Sequence, residues 1–166
     1  MGIVSIVIGN VCSLLAMGTD ALSASRKDAK GMLRVQNISQ LLYGIGSVVL
    51  QGYSGAVQNA VCIIRNLAVI KGVENRFVKW VLLAAGVIFG LCFNNLGLMG
   101  LLPVVANLQY TLAVIFFQKN ERLVRISFMA SAVMFTFFSL AISNYVGIFS
   151  NLFVAATTLV YVIKNK

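Results

Sequence analysis

The 166-residue chain has no histidine, four acidic residues, one proline, one tryptophan and three cysteines. Without histidine, and without paired carboxylates in its apolar runs, it lacks the usual groups for acid–base catalysis at neutral pH. Neither a nucleophile elbow nor a phosphate loop occurs. An enzyme is therefore not expected, and no cofactor or metal is implied. Cys12, Cys62 and Cys92 all lie in apolar runs. An odd count at these spacings builds no disulfide framework and no zinc site. Free cysteine there behaves as a small hydrophobe.

What is present is apolar surface. Hydrophobic residues make up 60% and charged residues 10%, with mean hydropathy +0.93. A soluble domain of this size could not bury so much apolar side chain, so the bilayer is the expected solvent. Residues 1–24 have no basic leading segment of the kind a signal peptide needs. They are expected to form an uncleaved first helix. Further helices are expected over about 37–49, 52–71, 80–93, 100–117, 126–142 and 146–163.

The net charge is +9, and its placement decides what it means. Arg26, Lys27, Lys30 and Arg34 follow the first helix. Lys71, Arg76 and Lys79 follow the third, Lys119, Arg122 and Arg125 the fifth, and Lys164 and Lys166 the seventh. The other connections carry no Lys or Arg. Basic short loops stay cytoplasmic. This pattern predicts seven crossings, with the N-terminus outside and the C-terminus inside, and it explains the charge without nucleic acid.

One basic residue, Arg65, lies inside a helix. The stretch 52–71 also holds Gln58, Asn59 and Asn66. Polar groups in a spanning segment normally face protein or a wet cavity. A second stretch repeats its spacing 92 positions later: Tyr53, Gly55, Asn59 and Leu67 recur as Tyr145, Gly147, Asn151 and Leu159. The same offset pairs Lys27 with Lys119, Lys30 with Arg122 and Ser39 with Ser131. Two parallel triple-helix bundles, 1–71 and 96–166, joined by a linker helix in 72–95, are the expected plan. Such repeats hold substrate near the midplane at their interface.

Candidate solute ligands are then Asn59 and Asn151, with Gln58, Asn10 and Asn107 around them. An amide both donates and accepts. The competing role is packing, since amides also bond helix to helix in membranes. Asp20 lies at the same end of its helix as Arg65. Three readings stay open: a structural ion pair, an inner gate, or an anion-binding arginine. Gly86 and Gly90, at GxxxG spacing, permit close helix approach and offer a contact face for a homo-oligomer.

The strings QNAVCIIRNL, LLPV (Leu101 to Val104) and GIFSNLF resemble the bacterial inner membrane protein YgjV family. The 3+1+3 layout is similar to that of the SWEET sugar transporters and their PQ-loop relatives. The resemblance implies an inner-membrane location. In SWEET-type proteins an asparagine on helix 3 and another on helix 7 face the sugar, and Asn59 and Asn151 match them by position. The chain departs from that pattern. It keeps only Pro103 of the gating-helix prolines, with Val11 at the matching place in helix 1. The PQ dipeptide is absent. Trp80, its only tryptophan, stands at the expected interface rather than in a sugar site. The leading expectation is a small polar solute transporter or facilitator in the bilayer. The alternative is a non-transporting scaffold or partner-binding subunit.

Overall fold

The computed structural model describes residues 2–24, 29–73, 75–117 and 120–164. Among them there are seven helices and no strand: α1 (Ile3–Ala24), α2 (Ala29–Val49), α3 (Tyr53–Ile70), α4 (Arg76–Cys92), α5 (Leu98–Phe116), α6 (Glu121–Ala141) and α7 (Tyr145–Lys164). Arg26, Lys27, Glu74, Lys119 and Lys166 lie outside the described residues, as does the side chain of Lys30.

Three helices begin earlier than their apolar runs. Asn75 caps α4, its side chain accepting from the Phe77 N–H at 2.8 Å, and Asn120 caps α6 by accepting from the Leu123 N–H at 3.1 Å. An asparagine cap satisfies one of the orphan donors of the first turn. Helix α2 starts at Ala29 because Ala, Met, Leu and Arg are strong helix formers. Arg34, Arg76, Lys79, Arg122 and Arg125 therefore stand on helices and not in loops.

By length and composition, Ile3–Ser23, Arg122–Ala141 and Tyr145–Lys164 can each cross a membrane, and Leu98–Ala113 is a shorter apolar run. The burial pattern agrees with an apolar solvent. Ile3, Phe77 and Leu98 are 80%, 73% and 82% exposed. Among the described residues twelve polar side chains are buried against eight hydrophobic ones and Pro103. That inverts the order of a water-soluble core. It suits lipid, where small polar residues fill helix contacts and every polar group needs an internal partner.

Helix α2 packs between α1 and α3, and α6 between α5 and α7. Helix α4 lies against α3 and α5. Two further seams join these groups, α3 with α5 and α1 with α7. The α2–α3 and α6–α7 turns share one geometry. Gln51 (φ 60°) and Ser143 (φ 57°) are the non-glycine residues with left-handed backbone among those described. Gly52 N–H donates to Ser47 C=O at 2.7 Å, and Asn144 N–H to Ser139 C=O at 2.8 Å. Each of these pairs is 92 positions apart.

Gly86 and Gly90 do not form an outward face. Both are buried in α4. A Cβ on Gly86 would stand 3.4 Å from Val61, and one on Gly90 would stand 2.5 Å from the Gln58 amide and 2.6 Å from Val104. The close approach that GxxxG spacing permits is taken up inside the chain, by α3 and α5.

Candidate functional site

Polar side chains gather at three levels along the seams. The first is at the two turns. The Ser143 carbonyl accepts from Asn10 Nδ2 at 3.0 Å, and the Gln51 carbonyl accepts from Asn95 Nδ2 at 2.7 Å. A left-handed residue turns its carbonyl out of the helix ladder, so it needs an outside donor. Each carbonyl finds one on a segment distant in the chain. Beside them, buried Asn144 donates to Ser13 Oγ at 2.9 Å and accepts from the Gly147 N–H at 2.9 Å, capping α7. Leu50, Phe138 and Ile142 form an apolar cluster at the same level, with Leu96, Leu102 and Phe135 packed on it.

The second level is the α3–α5 seam. Asn107 Nδ2 donates to Gln58 Oε1 at 2.9 Å, and Gln58 Nε2 donates to the Gly86 carbonyl at 2.8 Å. The Cys62 thiol lies 3.5 Å from Asn107 Oδ1. A cavity of about 20 Å³ opens here, lined by Gln58, Gly86, Asn107 and Thr111 among others. It has room for about one water molecule. On the other seam, the Tyr43 hydroxyl of α2 meets Ser150 Oγ of α7 at 3.4 Å.

The third level lies toward the basic helix ends. Ser39 Oγ donates to Asp20 Oδ1, and the Tyr43 hydroxyl lies alongside the same carboxylate. Asn66, 2% exposed, donates to Asn37 Oδ1 at 3.0 Å. Arg65 reaches Asn66 Oδ1 at 3.5 Å through Nη2. Across the chain Gln109 Nε2 donates to Ser131 Oγ at 2.6 Å, and Gln109 Oε1 accepts from Ser127 Oγ at 2.5 Å. The serines paired by the 92-residue offset, Ser39 and Ser131, thus each tie their helix to the one before it.

Several sequence expectations change against this geometry. Asn10 is occupied: Nδ2 serves Ile6 and Ser143 carbonyls, and Oδ1 accepts from the Val146 N–H at 2.9 Å. It fastens α1 to the α6–α7 turn and has no amide proton left for a solute. Asn107 and Gln58 bond each other. Asp20 and Arg65 have separate partners, and no ion pair joins them among the described residues. Asn151 holds one long contact, Nδ2 to Ser139 Oγ at 3.4 Å.

Asn59 differs from all of these. It is half-buried, with its Cβ only 3.6 Å from where a Cβ would stand on Gly44. Its amide has no hydrogen-bond partner among the described residues. Sequence reasoning missed Asn144, Asn95 and Tyr43 as connectors. The two asparagines read as helix ends, and a lone tyrosine in an apolar run carries no signal. Among the described residues no three metal-ligating side chains come together.

Neither a curated protein nor a solved structure matches the chain. A family model described as bacterial inner membrane protein, Imp-YgjV, matches residues 7–166. The strings of α3, α5 and α7 that resemble YgjV proteins lie within that match, and the outward apolar surface suits the location. The chain belongs to the Imp-YgjV family of bacterial inner membrane proteins.

Proposed function

We propose that this protein is a transporter or facilitator for a small polar solute, working by rocking of 1–71 against 96–166 around a central site. In this reading all seven helices cross the bilayer, the N-terminus is outside, and the two parts are parallel repeats. The matched turns at Gln51 and Ser143 support the repeat. The seams support movement, because neutral hydrogen bonds join them. In membranes such bonds contribute about 0.6 kcal/mol on average, so exchanging one for water or solute is cheap.

The observation that carries the reading is Asn59. An amide without a partner costs free energy in hydrocarbon. Half-buried against α2, it is best served by a wet cleft or a bound solute. Among the described residues Asn151, its counterpart in α7, holds a single 3.4 Å contact and is free to re-pair.

The test uses a cysteine-free background with Cys12, Cys62 and Cys92 replaced. Asn59→Cys is expected to react in cells with a small, membrane-impermeant, polar thiol reagent. Asn59→Ala is expected to lose most solute flux in proteoliposomes while keeping its fold. A silent cysteine, together with no flux for any of a panel of sugars, nucleosides, amino acids and small anions, would sink the transporter and leave the scaffold.

A further inference from the structure

We infer that Arg65 forms a binding site for a small organic anion at the α3–α5 seam, and that this anion is the carried solute. The second half of the statement rests on the transporter reading above.

Gln58, Cys62 and Arg65 stand at i, i+4 and i+7 on α3, which puts them on one helix face. The contacts show where that face points. Gln58 and Cys62 both meet Asn107 of α5. Arg65 lies within electrostatic reach of the Tyr110 hydroxyl, three residues further along α5. Tyr110 is itself held by the Phe128 ring of α6, centroids 5.4 Å apart. The guanidinium stands on this side of α3, with Nη2 3.5 Å from Asn66 Oδ1.

Among the described residues no counter-charge compensates it. A guanidinium carries five N–H donors. Among the described residues the one hydrogen bond Arg65 makes is the 3.5 Å contact to Asn66. Among the described residues no carboxylate pairs with it, and Asp20 accepts from Ser39 instead. A half-buried cation without a counter-charge is unfavourable in a low-dielectric setting. A mobile anion supplies the missing charge. The planar fork grips carboxylate or phosphate oxygens with two parallel bonds, which an ammonium cannot do. The Tyr110 hydroxyl offers a neutral group for the rest of a small solute. A lipid headgroup phosphate has the same chemistry, so the source must be separated.

The experiment uses purified protein in neutral detergent at constant ionic strength. Thermal stability is read with lactate, succinate, inorganic phosphate and glycerol 3-phosphate, against lactamide and glycerol. At least one organic anion is expected to raise Tm by about 3–5 °C, the shift for about tenfold mass-action stabilisation in a chain of this size. The neutral analogues are expected to leave Tm unchanged. Arg65→Gln is expected to lose the shift, and Arg65→Lys to keep part of it. Should Arg65→Gln fail to fold, protection of Arg65 from phenylglyoxal by the same anion, read by mass spectrometry, decides. No shift with any anion, equal shifts with the neutral analogues, or a full shift in Arg65→Gln overturns the site. Stabilisation only by anionic lipid in nanodiscs overturns it too, because the arginine then snorkels to headgroups. Flux separates the two readings. Anion binding at Arg65 without flux keeps the site and overturns transport. Flux of neutral solutes with no Arg65-dependent shift keeps transport and overturns the site.

Discussion

Gly55→Leu is expected to abolish the folded state in mild detergent, and Phe138→Ala in the same chain is expected to restore much of it. A Cβ on Gly55 would stand 2.5 and 2.6 Å from two ring carbons of Phe138, and one on Gly52 would stand 2.8 Å from the same ring. Phe138 is 3% exposed, so the ring of α6 is seated against the start of α3 with no slack. Overpacking a close-packed site costs about 1–3 kcal/mol for a modest addition, and a leucine adds far more than one methyl. Phe138→Ala alone opens a void in the cluster of Leu50, Phe138 and Ile142. It should cost toward the lower end of about 3–5 kcal/mol, since burial from lipid lacks the transfer term that burial from water carries. In the double variant the leucine fills the void. A coupling of about 0.5–3 kcal/mol, measured as midpoints of SDS unfolding, is the expected sign of direct contact. Strictly additive losses would show that the ring and the glycine do not meet.

Asn10→Leu should give the second large effect. Leucine is what the chain itself uses 92 positions later, as Leu102, so size and polarity are tolerable at that register in principle. At position 10, however, the amide holds the Ser143 carbonyl and the Val146 N–H. Both belong to a turn where the helix ladder is broken. Removing the amide leaves two backbone groups unpartnered. Orphaned buried groups cost about 1–3 kcal/mol each in water-soluble proteins. Transmembrane hydrogen bonds average nearer 0.6 kcal/mol. A loss of about 2 kcal/mol is expected between these limits. Asn95→Ala is the control. Asn95 also serves a left-handed carbonyl, that of Gln51, but it is exposed. Water can take its place, so the loss should stay within about 0.5 kcal/mol. Equal losses at the two positions would contradict the burial difference.

The helices were legible because hydropathy reports the solvent directly, and a bilayer demands long apolar runs. The basic helix ends were legible as charge clusters, though not as helix, because charge says nothing about backbone. The Tyr-x-Gly spacing of α3 and α7 pointed to the two turns that share a geometry. Partners were another matter. An amide in an apolar run announces that it needs a partner, but not whether that partner is solute, side chain or backbone. Asn10, Asn107 and Asn59 look alike in sequence. Only the fold separates the first two, occupied by Ser143 and Gln58, from the third. Gly86 and Gly90 show the same limit: the spacing reveals a close approach, and the neighbours turn out to be α3 and α5. Neither Gln51 nor Ser143 advertises positive φ, since glycine and asparagine are the residues that signal it.

During synthesis the ribosome delivers α1, α2 and α3 before Asn95 exists. Until residue 95 emerges, the Gln51 carbonyl must make do with water or lipid headgroups. The debt is mirrored at the other end, where the Ser143 carbonyl can be capped only by Asn10, already waiting in the membrane. Each of the two turns is therefore completed by a residue from another part of the chain. The first three helices are expected to linger as a loose, protease-sensitive insertion intermediate that locks when the last hairpin arrives.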